Sequence, residues 1–97
     1  MSAILELCMF PLGEGESVSP YVARSINIIK ESGLPYVFGP MSTSVEGEWD
    51  ELLALATKCY EAMRADCHRI QAFMRLDCRE GAKNRLTGKI RSVESKL

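Results

Sequence analysis

The chain has 97 residues, 46% of them hydrophobic and 26% charged, a composition that argues against disorder and provides for one modest core and no second. Twelve Lys and Arg against thirteen Asp and Glu leave a net charge of −1, which supplies no basic stripe for a phosphate backbone, so no nucleic acid partner is expected. The longest apolar runs, such as Leu52 to Ala56, fall far short of the roughly 20 residues of a membrane span, and the N-terminus lacks a charged and then apolar leader; the expectation is one cytoplasmic domain over residues 1–97 with no membrane partner.

Residues 3–10, Ala-Ile-Leu-Glu-Leu-Cys-Met-Phe, read as a strand with Leu5, Leu7 and Met9 on one face and Ile4, Glu6, Cys8 and Phe10 on the other, closed by Pro11. A turn-rich segment through Gly13 and Gly15 leads to Ser19-Pro20, which reads as an N-cap followed by a proline at the first helical position. Val22, Ile26 and Ile29 then repeat at helical spacing opposite Arg24, Asn27, Lys30 and Glu31, and Gly33 with Pro35 ends the helix.

A second strand spans Tyr36 to Phe38, a bend falls at Gly39-Pro40, and a third strand runs from Met41 to Glu46, with Thr43 and Val45 alternating against Ser42, Ser44 and Glu46. Gly47 opens the longest helical pattern, whose stripe carries Trp49, Leu52, Leu53, Ala56, Tyr60 and Met63 and whose first turn is acidic through Glu48, Asp50 and Glu51. Residues 69–78 return to strand, with Ile70, Ala72, Met74 and Leu76 on one face and Gln71, Phe73, Arg75 and Asp77 on the other. After a polar turn, Leu86, Ile90, Val93 and Leu97 predict a short amphipathic helix, although Gly88 inside it costs about 1 kcal/mol.

This order predicts an α+β, ferredoxin-like β-α-β-β-α-β sandwich with an extra C-terminal helix. Both main helices cover one face of the sheet, and the other is left bare with Ile4, Cys8, Phe10 and Phe73 on it. Such a patch exceeds what a monomer normally exposes, so a homodimer or homotetramer through the sheet face is expected, with the C-terminal helix folding back as a lid the other way to cover it. Glu6 and Arg75 lie within that face and are expected to pair across neighbouring strands.

The four cysteines, Cys8, Cys59, Cys67 and Cys78, lack the C-x-x-C spacing of a zinc or redox site, and His68 is the lone histidine. No metal is expected, and the thiols read as packing groups. A Cys8–Cys78 disulfide is open only if their strands are neighbours, and a reducing compartment disfavours it. His68 reads as a partner for the C-terminal dipole of the second helix.

Three stretches carry a family likeness: Pro11-Leu12-Gly13 with Gly15-Glu16-Ser17-Val18-Ser19; Tyr36 with Gly39-Pro40-Met41; and Thr43 with Glu46-Gly47-Glu48-Trp49. Together with the ending Lys89-Ile90-Arg91-Ser92-Val93, they resemble the small thiamine-binding protein family of the YkoF type over nearly the whole chain. The resemblance implies a ferredoxin-like protomer, assembly into dimers or tetramers, and non-catalytic binding of thiamine or its hydroxymethylpyrimidine half, with no cofactor besides that ligand. Ser42 stands where many relatives carry glycine, and Arg85 where a helix-capping threonine is common.

Thiamine presents a flat aminopyrimidine, a cationic thiazolium and a hydroxyethyl tail, which call for hydrogen-bonding groups at the ring edge, an aromatic or sulfur surface and a carboxylate. Residue types and the resemblance together nominate Ser42 and Thr43 for the ring edge, Tyr36 or Met41 for a ring face, and Glu6 or Glu46 for the amino group or cation. Plainer roles stand beside these. Trp49 reads as core, Tyr36 equally as strand packing, Glu46-Gly47-Glu48 as a strand end before a dipole-matched helix start, and Ser17 and Ser19 as cap and turn residues.

Competing functions use the same fold. A dimeric ferredoxin-like monooxygenase or a cysteine enzyme needs a base and nucleophile pairing that one histidine does not suggest, so no catalytic residue is nominated. An RNA-recognition motif needs paired aromatics on its strands, and the third strand has none. An ACT-like amino-acid-binding regulatory module is the alternative from another class.

Overall fold

The computed structural model describes residues 2–81 and 83–97. The order is β1 (Ser2–Pro11), α1 (Ser19–Ser32), β2 (Tyr36–Phe38), β3 (Thr43–Gly47), α2 (Trp49–Arg64), β4 (Ile70–Arg79) and α3 (Arg85–Glu94). The four strands form one sheet in the order β2-β3-β1-β4, every neighbouring pair antiparallel. This is the predicted ferredoxin-like arrangement.

Alternation in β1 sets the layers. Ala3, Leu5, Leu7 and Met9 are buried and pack with Val45, Ile29, Leu52, Leu55, Ala56, Cys59 and Met63 into one core between the sheet and the two main helices. Register carries the pattern outward: Leu5 lies opposite Val45 on one side and Leu76 on the other. A one-residue slip would send these side chains to the far face, so the core itself fixes the pairing. On that far face Glu6 lies opposite Arg75 with Nε 3.6 Å from Oε1, the predicted cross-strand pair, although Arg75 is largely exposed.

Local chemistry departs from the sequence expectations in three places. The N-cap of α1 is Val18, and Ser19 is already helical, its hydroxyl 3.1 Å from that of Ser17. The stripe of α2 runs through Leu52, Leu55, Ala56, Cys59 and Met63, while Trp49 and Tyr60 are partly exposed; at 3.6 residues per turn they lie roughly 65° and 85° around the helix from the stripe's centre. Strand β3 starts at Thr43, leaving Met41 and Ser42 in the preceding loop.

Other signals read directly. Gly33 caps α1 with φ 76°, in the left-handed region that favours glycine. Glu48 and Glu51 form a reciprocal capping box at the start of α2. Arg24 clamps α1 to the end of α2 through a bidentate pair with Asp66, 2.8 and 3.1 Å, and a bond to the Ala62 carbonyl.

The last helix lies on the far face. Its residues Arg85, Leu86, Lys89 and Ile90 share a space with Ile4, Glu6, Ser44 and Asp77, and Arg85 is buried. The docking is chemical as much as apolar: Glu46 receives the main-chain N–H groups of Arg85 (3.0 Å) and Leu86 (3.2 Å), and Asp77 is gripped by the Arg85 guanidinium and the Lys89 ammonium. The helix covers one end of the face and leaves Phe73 exposed, its ring stacked near that of Phe10 with centroids 6.2 Å apart.

Candidate functional site

A cavity of about 390 Å³ opens between α1, the end of β1 and the β2–β3 loop. Strand lengths create it. Pairing of β3 with β1 ends at Leu7 opposite Thr43, whereas β1 continues to Pro11, so Cys8, Met9 and Phe10 have no strand beside them on the β3 side. The chain swings away there through Gly39-Pro40-Met41-Ser42, held by a bond from the Gly39 N–H to the Ser42 carbonyl at 2.9 Å. A Cβ on Gly39 would sit 2.9 Å from that same carbonyl oxygen, so the turn requires glycine.

The walls are apolar, formed by Leu7, Met9, Val22, Ile26, Ile29 and Phe38, with Met41 at the rim and 83% exposed. Val22 and Ile26, predicted as helix core, are only half-buried because they face this space. Set into the walls are Ser25 and Thr43, 7% and 5% exposed. The Thr43 hydroxyl makes no hydrogen bond among the described residues, that of Ser25 meets the Cys59 thiol, and both residues line the cavity, where a hydroxyl can donate and accept. Size and composition match a small-molecule pocket: a largely apolar cleft with few polar groups.

The six nominated residues divide. Met41, Ser42 and Thr43 line the cavity. Glu6 reaches it indirectly, because its carboxylate lies on the far face and accepts the Ser42 hydroxyl at 3.3 Å. Tyr36 lies opposite Val45 and packs against the core, outside the cavity lining. Glu46 is on the far face, and besides the two N–H groups of α3 its carboxylate accepts the Ser2 hydroxyl at 3.0 Å. Burial raises its pKa, but those donors outweigh burial and hold the carboxyl below its usual value.

Ser25 and Met9 are among the lining residues that were not nominated from the sequence. Ser25 carried a usable signal, since it interrupts the apolar stripe Val22, Ile26 and Ile29 with a small hydroxyl. The thiols do not assemble into a further site. Cys59 and Cys67 are buried, and burial pushes both thiols up. Cys8 lies opposite Phe73 and Cys78 opposite Ala3, so although β1 and β4 are neighbours, the two thiols lie five register positions apart and on opposite faces, and cannot be bridged. Among the described residues no group of His, Cys, Asp and Glu is placed to hold a metal, and His68 is exposed beyond the end of α2.

A second space, about 260 Å³, lies beneath α3 on the far face. Its charges are engaged with each other, Arg75 with Glu6, and Arg85 and Lys89 with Asp77.

Residues 5–94 match the family model described as thiamine-binding protein. A UPF0045 protein of Synechocystis is 38% identical over the whole chain and 81% of its own length, and one from Mycobacterium tuberculosis is 35% identical over the whole chain and 96% of its own. Among solved structures, a hypothetical protein of Methanocaldococcus jannaschii superposes with a TM-score of 0.89 at 28% identity, covering 96% of both chains. A Thermotoga maritima protein, provisionally assigned to thiamine biosynthesis or salvage, superposes with a TM-score of 0.80 at 20% identity, covering 94% of this chain and 99% of its own, a likeness of fold. With the family model spanning all but the extreme ends, the cavity between α1 and the truncated β3 is that of a member of the thiamine-binding protein family.

Proposed function

We propose that the protein binds thiamine, or its hydroxymethylpyrimidine half, in the cavity beside α1, and that it does so in the cytoplasm without catalysing a reaction. The observation that carries this reading is the pair of buried hydroxyls in an otherwise apolar cleft, Thr43 without a hydrogen-bond partner among the described residues and Ser25 against the Cys59 thiol. A methylated aminopyrimidine is a flat apolar body with polar atoms on its edge, and this lining answers both parts. Ser42 sits at the mouth with its hydroxyl directed to Glu6, which leaves the serine oxygen's lone pairs for the ligand and places a negative charge one bond behind it for the thiazolium. Met41, at the solvent-facing rim, supplies a polarizable surface for the ring.

The non-catalytic part of the reading is supported by the lining itself. Among the described residues no carboxylate, imidazole, ammonium or guanidinium belongs to it, and the Cys8 thiol in the lining has no base beside it there, so no base and nucleophile pair faces the ligand directly. Self-assembly belongs to the same reading: Phe73 and Val37 on the far face and Ile90 and Val93 on α3 are exposed apolar groups, and a second copy is the occupant of matching chemistry and symmetry.

The test is calorimetric titration with thiamine and with hydroxymethylpyrimidine. Binding near micromolar, about −8 kcal/mol, is the expected result. An absence of heat and of any melting-temperature shift with both ligands would overturn the proposal.

A further inference from the structure

The hydrogen-bonding parity of the sheet singles out one residue of the cavity. In an antiparallel pair, a residue directs both its N–H and its C=O to one neighbour, and the next residue directs its own to the other side. The Leu12 N–H donates to the Arg69 carbonyl at 2.8 Å, one step beyond the Pro11–Ile70 pair, so the even-numbered residues of β1 bond to β4. The Glu46 N–H donates to the Pro35 carbonyl at 2.9 Å, one step beyond the Val45–Tyr36 pair, so even-numbered residues of β3 bond to β2. Odd-numbered residues of both strands therefore bond to each other, as Ala3 with Gly47, Leu5 with Val45 and Leu7 with Thr43.

Met9 is next in that series, and β3 has ended. Its N–H and C=O point to the side where a strand would lie, find no backbone partner among the described residues, and belong to a residue of the cavity wall. Unpaired main-chain groups away from bulk water are costly, so this pair is a standing demand for a ligand that can act as the missing strand.

We infer that the Met9 N–H and C=O recognise a planar heterocycle with an amidine edge, a ring nitrogen beside an amino group, by a two-bond contact that replaces the Leu7–Thr43 type of pairing. The inference rests on the thiamine reading and specifies how the pyrimidine is held. The Met9 N–H donates to the ring nitrogen, and the amino group donates to the Met9 carbonyl. Ser25 and Thr43 then serve the remaining polar atoms. Because the contact is main-chain, it is independent of the side chain at position 9, and it discriminates by donor and acceptor order: oxythiamine, with a ring N–H and a carbonyl in place of the nitrogen and amino group, meets donor with donor and acceptor with acceptor.

Amide exchange measured by NMR, combined with titration, tests this. In the free protein the Met9 amide exchanges faster than those of Leu5 and Leu7, and saturation with thiamine or hydroxymethylpyrimidine slows it by about tenfold or more, while oxythiamine binds roughly 10- to 100-fold more weakly and leaves it fast. A Met9 amide as protected as Leu5 in the free protein, or unaltered when thiamine is bound, overturns the inference and leaves thiamine binding standing. If neither thiamine nor hydroxymethylpyrimidine binds, the functional reading falls and the inference falls with it.

Discussion

The carboxylate of Glu46, in β3, accepts the main-chain N–H of Arg85 at 3.0 Å, 39 residues further along the chain. The first residues of a helix have N–H groups without partners, and a side chain from the adjacent residue usually caps them. Here that residue is Asn84, in the left-handed region at φ 55° and without a side-chain cap bond, and a distant glutamate does the work instead. Glu46→Ala is expected to destabilise α3 by about 1–2 kcal/mol, the usual range for a lost cap, seen as faster amide exchange confined to residues 85–94. Thiamine affinity should stay within about twofold of the parent, because this carboxylate lies across the sheet from the cavity. A large loss of affinity with α3 still protected would return Glu46 to the ligand site.

Acid should release the same helix. For Glu46 burial raises the pKa, but bonds from the Arg85 and Leu86 N–H groups and the Ser2 hydroxyl prevail, and the folded value lies below the ordinary 4.5. For Asp77 the Lys89 ammonium is the largest influence, partly opposed by burial and reinforced by Arg85, and the folded value lies below the ordinary 3.8. A carboxyl whose folded pKa is depressed contributes stability that is complete above its unfolded value and is lost as pH falls through the folded one. The anchoring of α3 is thus constant at neutral pH and begins to weaken only below about pH 4.5. Exchange of the α3 amides, corrected for intrinsic rates and followed from pH 6 to about pH 3, checks this; protection independent of pH across that span would contradict it.

Thr43→Val keeps the shape of the cavity wall and removes its hydroxyl. Since that hydroxyl makes no bond among the described residues, the variant should be at least as stable as the parent, whereas thiamine loses a hydrogen bond of about 0.5–1.5 kcal/mol, or roughly 2- to 12-fold in Kd. Ser25→Ala should weaken binding in the same way, with a small loss of stability because the Ser25 hydroxyl also meets the Cys59 thiol. Melting curves and titrations on the same samples separate the two effects, and a variant that loses stability while keeping affinity would place the Thr43 hydroxyl in the fold and not in the site.

How far the sequence led can be followed residue by residue. The strand order, the core face of β1 and the Glu6–Arg75 pair were legible because each depends on a period of two that any register must honour. Trp49 and Tyr60 misled because helical spacing alone does not locate the centre of a stripe, and an aromatic at its margin fits the same count. Of the residues nominated by type and family likeness, Met41, Ser42 and Thr43 fall at the cavity. Glu46 was drawn in by its chemistry, but its partner is the start of α3, and no local pattern links positions 39 residues apart. Met9 was invisible for a different reason: its contribution is an unpaired backbone, which depends on where the neighbouring strand stops and not on what the side chain is.

The apolar groups left on the far face make the last prediction. Phe73 is 57% exposed, and Ile90 and Val93 on α3 are 54% and 61% exposed, although the spacing of the α3 residues is that of a helix with a surface to cover. Within one copy α3 reaches only one end of the sheet and leaves its exposed apolar residues and Phe73 uncovered, and the proposed second copy would cover them about a twofold axis. Light scattering at micromolar concentration is expected to give the mass of a dimer or tetramer. Replacing both Ile90 and Val93 by glutamate buries charges in that contact at a cost of several kcal/mol, which should weaken assembly by about two decades or more and yield monomers with an unchanged circular dichroism spectrum. A parent protein that is already monomeric at that concentration would refute self-assembly as the cover for this face.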